Sequence, residues 1–421
     1  MLTPPIRLAA ACVLAASLPA AGLIGLGTAS AQGGGQQIRA AELPELRQID
    51  VPAAWRTSKG AGVTVAVLDT GADPAAPDLT GSVTTGPDYT AGADPPGYQP
   101  PHLHGTYIAS LIAGHGSGPG RSGGVIGVAP DARILSVRVI LDDNEPGFAV
   151  YHKNADYAGA IPDGIRYAVG HGAGVINMSL GAAEPARDMR LAIGYAISRN
   201  VVVVASAGND ASARSGFTPY SYPASFTGVI SVAAVGATGR RATFSDRNAS
   251  VELSAPGVNV VGAGPSGEYL SGSGTSPASA FVAGVAALIR SRYPRLGPAL
   301  VAQALVSSAT HRPAGGYDPG VGFGEVHAAA ALAAAGKLAR QHPAAGLRPS
   351  AHFGTGPLPG PIQVVHRSHA RIVALAVIAG AALLGFLLAL VLLVLQARRR
   401  AENGPERDLG ALGGNGMMTE T

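Results

Sequence analysis

Five short runs of mostly β-branched residues constrain this chain more than anything else in it: TVAVLD (64–69), ARILSVRVI (132–140), GVINMSL (174–180), VVVVAS (201–206) and GVISVAAV (228–235). They are apolar with little polar alternation, as expected of strands buried on both faces of a parallel sheet. Between them lie segments of helical character, GTYIASLIAG, DGIRYAVGHG and MRLAIGYAISRN, and further helices are expected over 277–291 and in PRLGPALVAQALVSSA. Strand and helix in alternation predict an α/β fold, a doubly wound and mostly parallel sheet, over residues 32–340. At 47% hydrophobic and 13% charged residues the chain has the material for such a core.

The two ends carry a different message. Arg7, the apolar LAAACVLAASLPAAGLIGL and the A-x-A site at Ala29–Ala31 read as a signal peptide over 1–31. The single cysteine, Cys12, falls inside it, so the processed chain would hold no disulfide and no cysteine metal site. From Ile372 to Leu395 the sequence is apolar and uncharged, longer than the ~20 residues that cross a bilayer. Arg398, Arg399 and Arg400 follow at once, which places the tail, 396–421, in the cytoplasm and the preceding domain outside the cell. Residues 341–371, rich in Pro and Gly, read as an extended linker. The net charge of +4, with no other basic cluster, argues against a nucleic-acid partner.

Four places can carry chemistry. Asp69 ends an apolar strand, where active sites of open parallel sheets form; alone it could equally cap a loop. His104 precedes Gly105, Thr106 and a helical run; a histidine becomes a general base when a carboxylate fixes its tautomer and a hydroxyl lies in reach. His102 and His104 lack the spacing of a helical metal pair, and there is no HExxH. Asn209 follows the strand VVVVAS in a Gly-containing loop, so its amide can project beyond the sheet as an oxyanion donor. Ser276 stands before Pro277, a residue favoured in the first turn of a helix, and the small residues that follow suit a helix packed closely on its neighbours. Ser276 would then sit where unpaired N–H groups and the helix dipole stabilise negative charge. Ser271 and Ser273 precede that helix and Ser279 lies within it.

The blocks VAVLDTG, HGTYIASLIAG, VINMSLG, ASAGN and GTSPASAFVAG, in that order, resemble the motif set of the subtilisin-like serine peptidases from about Val63 to Leu332. The resemblance implies a catalytic triad of Asp69, His104 and Ser276 with Asn209 as oxyanion donor. It makes Ser179, Leu180 and Gly181 the strand that pairs with substrate backbone, with protein or peptide substrates and no metal or other cofactor in the chemistry. Relatives often bind calcium for stability, but no ligand set can be placed, and DDNE (142–145) reads as a solvated loop. The chain departs from the common pattern at Pro277, where relatives have Met, at Ala280–Phe281, where they have Pro-His, and at Tyr107, where many have His. These departures bear on pocket shape and subgroup.

Signal peptide, peptidase core, linker, single span and short tail together resemble the mycosins, membrane-anchored subtilases of type VII secretion. In that resemblance residues 32–61, too short for an inhibitory prodomain, pack along the domain through Trp55. Many mycosins carry disulfides, which this chain lacks. The alternatives are a cell-surface subtilase unrelated to secretion and a structural cap on a secretion complex with dispensable proteolysis. A GxSxG esterase reading rests on GRSGG around Ser122, in a Gly-rich loop rather than a strand-to-helix elbow, and is set aside.

Overall fold

Because their side chains are apolar on both faces, the five runs can only be satisfied between two layers of helix, and a computed structural model of the chain places them there. It describes residues 24–28, 34–212, 216–341 and 369–402, in two units, Met1–Pro343 and Ala344–Thr421. The main sheet has seven strands, in the order Leu253–Pro256, Val229–Val235, Val202–Ser206, Val175–Met178, Thr64–Asp69, Arg133–Arg138, Val83–Asp88. Every neighbouring pair is parallel. Alternate residues of the central strand face opposite cores: Val65 and Val67 one, Ala66 and Leu68 the other. Helices Leu103–Ala113 and Thr275–Arg292 fill the first, and Ala160–Gly170 and Arg187–Ser198 the second. The sheet is doubly wound, as expected.

Two strands of this sheet escape the sequence reading. VTTGPD (Val83–Asp88) is a half-exposed edge strand with Gly and Pro, residues that edges tolerate and that mask a strand signal. LSAP (Leu253–Pro256) is only four residues long. The strand order matters for function. The chain begins at Thr64–Asp69 in the middle, winds to one edge, then returns to build the other half from Val175–Met178 outward. The winding direction therefore reverses between these two adjacent strands, and such switch points open a crevice at the strands' carboxyl ends.

The segment before the sheet is part of the domain. Leu46, Ile49, Val51 and Ala54 of the N-terminal arm are buried in the first core. Trp55 Nε1 donates to Val128 O (2.9 Å), Gln48 Nε2 to Gly236 O (3.0 Å) and Arg39 to Gly123 O (2.8 Å) and Gly124 O (2.8 Å). Glu42 is fully buried; its Oε2 accepts from Ile126 N–H at 2.8 Å, and its Oε1 has no partner among the described residues. The expected signal segment lies outside the described residues except Ile24–Thr28, a strand antiparallel to Glu268–Gly272. The linker likewise lies outside them from 342 to 368, and the tail beyond 402. The second unit contains the helix His369–Glu402, whose stretch Val373–Arg399 is long and apolar enough to cross a membrane. Its side chains, Leu384 and Phe386 among them, are exposed, unlike those of a core helix.

Burial drives the Glu42 carboxyl well above its ordinary range, with the Ile126 N–H and the Arg39 charge pulling it part of the way back. The folded chain thus holds a proton here that the unfolded chain has released, and stability falls as pH rises from the ordinary carboxylate value toward the folded one. Glu42→Gln keeps an acceptor for Ile126 without a buried charge. It is expected to raise the melting temperature at pH 8 and to flatten its decline between pH 5 and 8, as read by thermal unfolding of wild type and variant.

Candidate active site

The site assembles at the switch point. Asp69 is the last residue of the central strand and is wholly buried. Its Oδ1 accepts from the Thr70 N–H at 2.8 Å and from His104 Nδ1 at 2.7 Å. A carboxylate oxygen can only accept here, so the imidazole proton sits on Nδ1, and Nε2 of the neutral ring carries a free lone pair. Taken singly, Asp69 and His104 were open readings that only the resemblance joined; the fold brings them into contact.

That contact depends on two glycines. His104 lies in the first turn of Leu103–Ala113, which presses against the turn after Asp69. A Cβ on Gly105 would collide with the Gly71 carbonyl, and a Cβ on Gly71, at φ +92°, with the His102 ring. Threonines then stitch the two segments together: Thr70 Oγ1 accepts from Gly105 N–H (3.1 Å) and Thr106 Oγ1 from Asp73 N–H (2.9 Å). The His102 ring donates from Nδ1 to Thr70 O at 2.7 Å, so it is a brace in the turn. Tyr107, noted as a departure, is buried and donates its hydroxyl to Val260 O at 2.9 Å, tying the same helix to the strand Val260–Ala263 outside the main sheet.

Ser276 lies in the first turn of the helix Thr275–Arg292, as its position before Pro277 leads one to expect, and is 6% exposed. Its Oγ lies 3.4 Å from Ser179 O. Asn209 stands beside it with its amide orientation determined: Oδ1 accepts from Thr275 N–H (2.8 Å) and Thr275 Oγ1 (3.0 Å). Both partners donate, so the amide NH2 is the end left to serve another acceptor. Ser179, Leu180 and Gly181 leave the sheet directly after Val175–Met178. The Ser179 side chain is fully buried and is used within the protein, its Oγ meeting Asn177 Nδ2 (3.0 Å), Ser279 Oγ (3.0 Å) and Ser276 O (3.2 Å). Only the main chain of this segment is therefore placed to meet a ligand. A Cβ on Gly181 would press on Ser221 Oγ, so the strip is narrow at that point.

Three contributions were not legible beforehand. Thr275 clamps Asn209, although its place in GTS beside Ser276 was a clue. Thr70 anchors the histidine helix. The third is DDNE, whose reading as a solvated loop holds for the exposed Asp143 and Asn144 and is corrected at its end: Glu145 is buried, pairs with Arg138 at 2.6 Å and accepts from the Asp142 N–H at 2.8 Å. Asp142 in turn faces His104 and its backbone N–H. The Arg138 charge, also paired with Asp88 and Asp94 at 2.9 Å each, is what draws these acids inward. Ser122, by contrast, lies in an exposed turn bonded to Pro119 O (3.0 Å). Calcium, frequent among relatives, finds no group of three or more His, Cys, Asp or Glu suited to a metal among the described residues.

The chain is similar to known serine peptidases. Residues 60–324 match the Subtilase family. Subtilisin DY of Bacillus licheniformis is 39% identical over 254 residues, 60% of this chain and 85% of that protein. The major intracellular serine protease of Bacillus subtilis is 35% identical over 254 residues, covering 59% and 76%. Among solved structures, the MycP3 protease from the type VII (ESX-3) secretion system is 30% identical with a TM-score of 0.59, over 73% of this chain and 92% of that one. MycP1 with its N-terminal propeptide removed is 28% identical with a TM-score of 0.58, over 69% and 96%.

Burial pulls the His104 pKa down, but the charge and hydrogen bond of Asp69, with the Asp142 charge behind them, outweigh it, and the imidazole lies above its ordinary 6.5. The sign follows from linkage: this pair adds stability in full below the unfolded value and loses it as pH rises through the folded one. An NMR titration of His104 should give a midpoint above 6.5, and Asp142→Asn should move it down.

Proposed function

The chain belongs to the subtilase family of serine peptidases, and from that premise we propose that it is a membrane-anchored endopeptidase of the cell surface, acting with a type VII secretion complex through a triad of Asp69, His104 and Ser276. The observation that carries the triad is the 2.7 Å bond from His104 Nδ1 to the buried Asp69. It leaves Nε2 as the base, on a ring whose positive form is stabilised.

The steps follow from these groups. As Ser276 Oγ attacks the substrate carbonyl carbon, His104 Nε2 takes its proton, and Asp69 stabilises the imidazolium. The carbonyl oxygen becomes an oxyanion, met by Asn209 Nδ2–H and the Ser276 N–H at the helix N-terminus. Collapse of the tetrahedral intermediate breaks the C–N bond, and His104 returns the proton to the leaving amine. Water then repeats the sequence on the acyl-enzyme, with His104 again as base, and frees the acid product and Ser276. The main chain of Leu180 and Gly181 aligns the peptide as an added strand. No metal or organic cofactor enters these steps.

Two features support the cellular setting. The apolar helix Val373–Arg399 supplies an anchor, and the sequence from 1 to 31 an export signal, so the peptidase domain faces outward. The likeness to the MycP3 protease and MycP1 supports work beside a secretion complex. Fluorophosphonate labelling of membranes carrying the full chain should depend on Ser276 and vanish in Ser276→Ala. Asn209→Ala should lower kcat by about 10²–10³-fold, the range measured for the oxyanion asparagine of a subtilisin. In the host, a Ser276→Ala strain should leave surface substrates uncut; secretion intact with substrates cut as before would overturn the peptidase role there.

A further inference from the structure

The loop that carries Asn209 is closed from behind by a carboxylate outside the triad. Asp246 is 1% exposed. Its Oδ1 accepts from the Asp210 N–H at 3.1 Å, and its own N–H donates to Gly208 O at 3.0 Å. The Thr218 hydroxyl and the Ala211 N–H also lie close to the carboxylate, the latter donating to Phe244 O at 3.1 Å. Thr218 Oγ1 in turn accepts from the Arg247 N–H at 2.9 Å. The fit is close enough that a Cβ on Gly208, at φ +115°, would run into the Asp246 carboxylate. On its other side the loop meets the nucleophile's helix, with Gly208 N–H donating to Thr275 Oγ1 at 3.2 Å. Asn209 is thus gripped twice: Thr275 holds the amide oxygen, and Asp246 holds the main chain on either side of it.

We propose that Asp246 is a positioning residue for the oxyanion hole, fixing the Gly208–Asp210 turn so that the Asn209 amide donates at the correct place. This rests on the reading of Asn209 as the oxyanion donor. The physical case is one of directed acceptors. The Asp210 N–H donates to this side chain and the Thr218 hydroxyl lies against it, and a carboxylate, with two acceptor oxygens, has capacity for both. Burial, with the Asp210 charge behind it, pushes the carboxyl up to about 6. The fold therefore carries an unfavourable buried charge that hydrophobic packing alone would not retain. An oxyanion donor misplaced by a fraction of an ångström keeps substrate binding and loses transition-state binding.

The test is a double-mutant cycle on the full chain in detergent, using a fluorogenic peptide that the wild type cleaves, with rates per site titrated by fluorophosphonate. Asp246→Ala should lower kcat at least tenfold with KM within about twofold. In the Asn209→Ala background it should lower kcat by no more than about twofold. The same tenfold loss in both backgrounds, or a change in KM in place of kcat, overturns the proposal. Asn209→Ala with unchanged kcat would instead overturn the oxyanion reading on which it rests. Should Asp246→Ala not fold, Asp246→Asn, which keeps the volume and one acceptor oxygen, is read the same way. Its smaller kcat loss must also disappear in the Asn209→Ala background, and a wild-type kcat overturns the proposal.

Discussion

The close approach of the Asp69 turn to the histidine helix is the contact on which the rest of the site depends. It puts a buried carboxylate 2.7 Å from an imidazole, and it does so with main chain nearly touching main chain at Gly71 and Gly105. A side chain at either position would hold the helix off and break the pair. The threonines at 70 and 106 turn this proximity into a fixed geometry by bonding across it. An imidazole so held has one tautomer and one direction for its lone pair, which is what a general base needs.

Around that contact the protein uses buried acids as tie points. Glu42 anchors the N-terminal arm at Ile126, Glu145 anchors the Asp142 turn on Arg138, and Asp246 anchors the Asn209 loop. Each accepts a main-chain N–H bond, and each sits where an apolar side chain would pack at less cost. Carboxylates are suited to this because several donors can converge on one group, so an irregular loop is held at more than one point. For Glu42 and Asp246, burial raises the pKa, so the ties are geometrically firm while the buried charges lower stability as pH increases.

The long apolar helix and the peptidase domain answer separate demands. The helix needs only length and apolar side chains, both properties of a contiguous stretch. The domain needs residues far apart in the chain to meet within hydrogen-bonding distance. This difference explains why the apolar stretch was legible, read as 372–395 where the structure has Val373–Arg399, as were the strand Thr64–Asp69 and the start of the Ser276 helix. The edge strand VTTGPD and the burial of Glu145 in the DDNE turn were not. A strand with Gly and Pro, and an acid drawn inward by an arginine elsewhere in the chain, leave no periodic trace.

By itself the sequence determined the doubly wound class, the apolar span and the residue types that could serve as acid, base and nucleophile, because burial pattern and side-chain chemistry are local properties. Ser179 shows where that stops: the motif spoke only of main-chain pairing, and nothing in it told that the side chain braces the Ser276 helix. Only the tertiary structure decided which groups meet. The reversal of winding between Thr64–Asp69 and Val175–Met178 opens the crevice, and long-range bonds then join Asp69 to His104 and Asn209 to Thr275. Such a bond depends on strand order and on how closely two backbones can approach, and neither is written in the periodicity of the segments themselves.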